Sequence, residues 1–435
     1  MRHYCLREFE RLPHGSGEGQ IPENDAESLA AVARSSAFAG AGEVGVLEHH
    51  RAFLRARNVV GMIVAPRASL EILPKIDLPP GEAGDTATEA GALRRRLVHM
   101  LAVALDLRIE TGTVTALSWQ RETLLEILIR IFCVKLSAQL RRGMPRRYIS
   151  QEDDLPALRG RIDVARQFTR HAANPSRLAC RFDALSEDIA LNRIIRATIN
   201  HLAGISFSSA NQQRLRELGF AYADVTEVPV SALRWDLVVL DRTNRGWAEL
   251  VALAKLFLRG RYQNTSAGRA DGTSLLFEMD ALFEAYVARL VRRALTGTDL
   301  VPDVQGGGLC CLIEADTNRG LFRTRPDILI RRGGSVVQVV DTKWKRIAAR
   351  IDDRKQGVSQ ADVYQMMAYA QLYHAPKVTL LYPHHHGLPG KEGVQATHRF
   401  TGGDQALELT SLDISRGEII LARIKEMLLG HAVDV

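Results

Sequence analysis

Apolar residues recur at two spacings along this chain, and the change from one to the other outlines its elements. From Met279 to Leu295 the residues Leu282, Phe283, Tyr286, Val287, Leu290 and Val291 fall three or four apart, which predicts a helix with one buried face and Glu284 at its rim. Ser335 to Lys343 is rich in valine and reads as a strand, preceded by a short strand over Ile328, Leu329 and Ile330. Arg331-Arg332-Gly333-Gly334 between them supplies a turn, so the two strands are expected to form a hairpin. A second helix is expected at about Ala361 to Tyr373, then an apolar strand from Val378 to Tyr382. Upstream, the longest apolar helix runs from about Trp119 to Leu140. Arg121, Glu122, Glu126, Arg130 and Lys135 interrupt it, as in a packed helix of a soluble protein.

The hairpin is where this pattern meets chemistry. Alternation along a strand puts Asp341 and Lys343 on one face, and Asp327, at the start of the preceding strand, can meet Asp341 across the hairpin. Two carboxylates and an ammonium would then converge. Mg2+ takes hard oxygen ligands and keeps several waters, so such a pair together with phosphate oxygens suffices for phosphodiester hydrolysis, with Mn2+ a possible substitute. Lys343 could orient the attacking water or offset the charge developing on phosphorus. By itself a Pro-Asp followed by Asp-x-Lys is a weak signal, because a solvated hairpin with an exposed ion pair of little energetic weight looks the same.

The flanking helices add two further candidates. Glu284 is either a third ligand or water-positioning group, or an ordinary solvated helix glutamate. Gln365 and Tyr369 lie at i and i+4 on one helix face. They either steer the scissile DNA strand or complete a packing face with Met366 and Ala370.

Several separated blocks carry a family resemblance. They are Leu158-Arg159-Gly160-Arg161-Ile162-Asp163; Phe182-Asp183 with Glu187-Asp188 and Leu191-Asn192; and Phe277-Glu278-Met279-Asp280 leading into Leu282-Phe283-Glu284 and Tyr286-Val287. The series continues with Arg325-Pro326-Asp327, Asp341-Thr342-Lys343-Trp344-Lys345, and the run from Asp362 to Tyr369. Together they resemble McrC, the endonuclease subunit of the McrBC modification-dependent restriction systems, within the PD-(D/E)xK nuclease superfamily. The last block is also similar to the Q-x-x-x-Y helix of RecB-type nucleases. The resemblance covers roughly the second two-thirds of the chain; upstream only Glu71-Ile72-Leu73-Pro74-Lys75-Ile76 looks familiar.

This resemblance implies an α/β (mixed α+β) chain ending in a restriction-endonuclease-like core. Asp327, Asp341 and Glu284 would be its metal ligands, and Lys343, Gln365 and Tyr369 would complete the catalytic group. It also implies a partner, the hexameric AAA+ GTPase McrB, which carries DNA recognition and whose central pore an amino-terminal extension of family members enters. Part of residues 1–150 would then contact the motor, and the substrate would be double-stranded, modified DNA. No G-x-x-x-x-G-K-[ST] phosphate loop occurs, since Gly306-Gly307-Gly308 is followed by Leu309 and two cysteines, so this chain is not expected to hydrolyse nucleotide itself. Two other readings stay open. One is a stand-alone RecB-like nuclease; the other is a non-enzymatic adaptor that activates a AAA+ motor.

Composition narrows the picture modestly. At 435 residues two or three domains are expected. Breaks near Pro79–Gly91 and Arg259–Ser274 suggest an amino-terminal docking domain (1–78), a helix-rich scaffold (92–258) and the nuclease domain (275–435). A formal charge of +7 favours contact with polyanions. Clusters such as Arg94-Arg95-Arg96, Arg141-Arg142 with Arg146-Arg147, and Arg292-Arg293 are either phosphate or partner contacts or solvated helix faces.

The five cysteines lack C-x-x-C spacing and disulfide density, which points to a reducing cytoplasm, and Cys310 and Cys311 read as strand packing. His384-His385-His386 reads as a surface loop. The polar blocks around Gly160 and Asp188 read as an architectural network, Gly160 sitting in a sterically demanding turn and the acids satisfying the neighbouring arginines or capping a helix. No signal segment or membrane span is expected.

Overall fold

In the computed structural model the described residues are 1–34, 46–79, 82, 84–107, 116–172, 176–260, 262–265, 272–348, 350, 351, 353, 357–415, 417 and 419–429. Much of the Arg259–Ser274 break therefore lies outside them. The chain is mixed α+β and divides into two compact units, one made of residues 1–127 with 263–435 and the other of residues 128–262. This differs from three consecutive domains. The reason is a long-range pairing that local pattern does not carry: strand Gly272–Glu278 runs antiparallel to Val59–Val64, so the start of the carboxy-terminal segment completes the amino-terminal sheet.

In that sheet Arg2–Arg7 lies parallel to Ala68–Leu73, and Ala68–Leu73 antiparallel to Val59–Val64. Helix Glu23–Arg34 covers one face, its Ala26, Leu29, Ala30 and Ala33 sharing a core with Ile63, Leu70 and Ile72. Gly61, at φ +128°, lies where a Cβ would meet the carbonyl of Leu275, so the cross-strand approach that joins the two segments requires glycine. Within the same sheet Glu71 is wholly buried against Arg94 of helix Thr86–Ala104.

Asp327, Asp341 and Lys343 sit on or at the ends of strands in a second, six-stranded sheet of the same unit, and the other candidates on helices beside it. Its order is Leu300–Val304, Ile328–Arg332, Ser335–Thr342, Lys377–Pro383, Ala406–Leu412 and Gly393–Arg399. The first three strands run antiparallel, whereas Ser335–Thr342, Lys377–Pro383 and Ala406–Leu412 are mutually parallel. A parallel neighbour demands a crossover, which helix Gln360–Leu372 supplies. Its Met366, Tyr369 and Ala370 pack with Leu329, Val339, Val378 and Leu380. Helix Met279–Ala294 precedes the sheet and buries Leu282, Phe283, Tyr286, Val287, Leu290 and Val291, the face its spacing predicts.

Other expectations need adjustment. The upstream apolar segment is two helices, Ala116–Arg121 and Leu124–Leu140, broken at Glu122-Thr123. Cys310 and Cys311 do lie on a strand, but Cys311 is exposed, because Cys310–Ile313 pairs only with Gly320–Arg323 in a two-stranded hairpin. His385 is buried, its Nε2 2.8 Å from the carbonyl oxygen of Ile347, so the histidine run is only partly a surface feature.

In the second unit Arg147–Leu155 pairs antiparallel with Leu178–Ser186, beside helices Ala190–Ile205 and Ser209–Ala221. Gly160 adopts φ +70° with a Cβ position against the Arg181 carbonyl, as a sterically demanding turn would. The acidic groups expected to satisfy Arg159 and Arg161 do other work. Asp188 takes a two-pronged hydrogen bond from Arg193 at 2.7 Å and binds Thr226, and Glu187 pairs with Arg146. Helix Ala190–Ile205 has no side-chain cap. Among the described residues no helix is long and apolar enough to cross a membrane.

Candidate active site

The hairpin register sets the geometry. Ile328 is paired with Val340, so the next position outward brings Asp327 beside Asp341 at the carboxyl end of Ser335–Thr342. The turn at the far end uses Gly333 and Gly334 at φ +55° and +90°. Asp327 is fixed by Thr342, whose backbone N–H (2.7 Å) and hydroxyl (2.8 Å) both donate to its Oδ2. Asp341 is 1% exposed, and its Oδ2 lies 2.5 Å from the Nζ of Lys343.

Burial and the neighbouring Asp327 charge push the Asp341 carboxyl up to about 6, against the pull of Lys343. Burial also works against the Lys343 ammonium, but Asp341, Asp362 and Asp327 outweigh it and raise its pKa. Lys343 is thus held as a cation near neutrality, suited to electrostatic stabilisation and not to service as a base.

Glu284 stands half-buried on its helix, and its Oε1 accepts a 2.8 Å hydrogen bond from Nε2 of Gln305. Burial raises its pKa; the Gln305 bond opposes this, and the charge of Asp327 adds to it. Gln365 donates to the Tyr369 hydroxyl at 2.7 Å, so the i, i+4 pair forms as expected. Tyr369 is buried and its pKa is raised by burial, which the Gln365 bond opposes and the charges of Asp341 and Asp327 reinforce. Tyr369 therefore belongs both to the packing face and to the site.

Three residues were not singled out from sequence. Gln305, in the left-handed region at φ +51°, donates its N–H to the Asp327 carbonyl (2.7 Å) and receives Arg325 on its Oε1 at 2.5 Å. Thr342 orients Asp327. Asp362 lies 4.0 Å from the Lys343 ammonium and is ion-paired with Lys345. Thr342 and Asp362 fall within the family blocks, where the sequence assigns them no role, and Gln305 is traced only by the glycines that follow it.

Among the described residues no group of three or more His, Cys, Asp or Glu side chains stands close enough to hold a metal ion, so Glu284 does not close a three-carboxylate set with Asp327 and Asp341. The acidic pair is nevertheless a hard-oxygen donor set whose mutual repulsion raises Asp341, an arrangement that a divalent cation would relieve.

The amino-terminal sheet braces the strand that carries this site. Trp344 donates its Nε1 to Glu8 (3.0 and 3.2 Å) and its N–H to Asp280 (3.2 Å), while Lys75 donates its N–H to Glu8 and its ammonium to the Trp344 carbonyl. The upstream block ending in Lys75-Ile76 is thus part of the support of the strand that carries the candidate site.

Burial raises Glu8 to about 7, partly countered by Lys75 and Trp344. With the folded-state pKa above the unfolded one, the protein binds an extra proton when folded, and stability falls as pH rises from about 4.5 to about 7. Glu8→Gln should abolish this decline, worth about 3 kcal/mol at most, as read by urea unfolding at pH 5 and pH 8. An unchanged pH dependence would show that Glu8 does not cause it.

Comparison with known proteins places the chain in a family. The family model described as "McrBC 5-methylcytosine restriction system component" matches residues 54–383, which include all six candidates and the brace at Lys75. The chain belongs to this family. It is similar to the Escherichia coli (strain K12) "Type IV methyl-directed restriction enzyme EcoKMcrBC", 22% identical over 284 residues, covering 63% of this chain and 80% of that protein.

Among solved structures, a chain of the "Refined half-complex from tetradecameric assembly of Thermococcus gammatolerans McrB AAA+ hexamers with bound McrC" shares the fold. Its TM-score is 0.69 and its identity 19%, over 98% of this chain and 99% of that one. A chain of the Thermococcus gammatolerans McrBC complex aligns at TM-score 0.54 and 21% identity, over 67% of this chain and 88% of that one. The family resemblance drawn from the sequence blocks is therefore upheld, and the protein is a component of a McrBC restriction system.

Proposed function

We propose that this chain is the endonuclease subunit of its restriction system, hydrolysing DNA phosphodiesters with Mg2+ while docked on a McrB-like AAA+ GTPase hexamer. The convergence of Asp327, Asp341 and Lys343 at one strand end carries the reading. Asp327 and Asp341 would hold Mg2+, with Glu284 kept at the rim by Gln305, and Mn2+ would serve in place of Mg2+. The bound cation would supply Lewis acidity and a more acidic water. Lys343 offsets negative charge gathering on the phosphoryl oxygens. Tyr369, tethered by Gln365, orients the strand being cut.

The motor partner is proposed from the assemblies in which similar chains were solved, which are named for McrB AAA+ hexamers with bound McrC. Cysteines without C-x-x-C spacing or disulfide density suit a reducing cytoplasm. Cleavage of modified duplex DNA by the assembled complex should stop on chelation with EDTA and return with excess Mg2+ or Mn2+. Cutting that persists in EDTA would remove the metal from the account.

A further inference from the structure

Beside the acidic pair lies a cavity of about 410 Å3 lined by Gln305, Gly306, Gly307, Gly308, Arg323, Thr324 and Arg325. Two guanidinium groups and a glycine backbone face it, and among the described residues its lining includes no carboxylate. The loop is built to remain bare. Gln305, Gly307 and Gly308 have φ of +51°, +85° and +94°, and a Cβ on Gly306, Gly307 or Gly308 would collide with Asp303, Tyr373 or Arg323 respectively.

Tyr373, one turn beyond Tyr369, fixes the loop from beneath. Its hydroxyl accepts from the N–H groups of Gly308 (3.0 Å) and Leu309 (3.3 Å) and lies 2.6 Å from the Thr324 hydroxyl, which itself donates to the Leu309 carbonyl. Arg325 donates a hydrogen bond to the Gln305 side chain. Gln305 in turn joins the loop to Asp327 and Glu284, so an anion in the cavity would lie next to the reacting position.

Two arginine forks over a glycine backbone that carries no side chain are suited to a tetrahedral oxyanion. We infer that the Gln305–Gly308 loop with Arg323 and Arg325 is a subsite for a DNA backbone phosphate adjacent to the scissile one. The inference rests on the nuclease reading for its ligand, but its contacts are distinct from the acidic pair. The phosphate subsite takes the strand by its backbone, without base discrimination, and sets the register in which the next phosphodiester meets Asp327 and Asp341.

The test is binding of a short duplex to the full-length protein in EDTA, where no cutting occurs, across a salt series. Arg323 and Arg325 are exposed, so Arg323→Gln and Arg325→Gln should melt as the wild type does. Each should weaken binding about tenfold on every duplex sequence and lower the slope of log affinity against log salt by about 1. Arg323→Lys should restore the slope but not the full affinity. Arg332→Gln, at the opposite end of the hairpin and paired with Asp299, removes equal charge outside the cavity and should leave both unchanged.

An unaltered slope in Arg323→Gln, an equal loss in Arg332→Gln, or a wild-type protein with no duplex affinity at low salt would overturn the subsite. Cleavage by the assembled complex is read in parallel. Asp341-dependent cutting with a flat Arg323 result sinks the subsite alone. A lowered slope without Asp341-dependent cutting leaves the subsite and sinks the nuclease reading.

Discussion

Asp341→Ala should reduce DNA cleavage by the assembled complex about a thousandfold or more while leaving the protein folded. Both halves follow from the same geometry. The carboxylate is buried next to Asp327, and that environment disfavours its charge, as the rise to about 6 records. Removing it relieves repulsion, so the melting temperature at pH 8 should hold or rise, even though Lys343 loses its 2.5 Å partner. Initial rates of plasmid nicking and a thermal melt decide the matter together. Retained cleavage would displace Asp341 from the mechanism, and a collapsed fold would show that its role is structural.

Glu71→Ala should behave in the opposite way, costing about 3–5 kcal/mol of stability. Glu71 is wholly buried, yet His3, 3.8 Å away, and the hydrogen bonds from Arg94 outweigh that burial and hold it down at about 2. Arg94 reaches it through Nε (3.0 Å) and a terminal nitrogen (2.7 Å), and the N–H of Leu124 donates to it at 2.8 Å. Truncation leaves the Arg94 guanidinium buried without its counter-charge. Because the folded pKa is depressed, this contribution is present above the ordinary carboxylate range and lost as pH falls toward 2. Urea unfolding of wild type and variant at pH 7 measures it; a difference below about 1 kcal/mol would mean that water enters and solvates the arginine.

The two predictions show which parts of the molecule local sequence reveals. Alternation and helical spacing place Asp341, Glu284, Gln365 and Tyr369 on their elements, because each position is decided by a few neighbouring residues, while Lys343 lies one residue past the end of the strand expected to contain it. The pairing of Asp327 with Asp341 was legible too, since a short glycine turn fixes the hairpin register.

What escaped depends on contacts between distant segments. Gln305 meets Glu284 twenty-one positions away, Trp344 meets Glu8 across 336, and Gly272–Glu278 joins a sheet begun at the amino terminus. Such contacts leave no periodic trace. The glycines after Gln305 were visible as a run, but their spacing excluded a nucleotide loop and offered nothing further until Tyr373, Arg323 and Asp303 were seen pressing on them. Arg94 was read within a basic cluster open to solvent or partner; its ion pair with Glu71 is buried because a strand and a helix meet there.

Cleavage of methylated and unmethylated plasmid in Mg2+ by this protein, with and without a cognate AAA+ GTPase and GTP, separates a partner-dependent nuclease from its alternatives. The account predicts cutting of methylated plasmid only when motor and nucleotide are both present, and none with Asp341→Ala. Cutting by the protein alone would contradict the partner-dependent assignment in favour of an autonomous nuclease, and absence of cutting alongside stimulated GTP hydrolysis would contradict the nuclease itself.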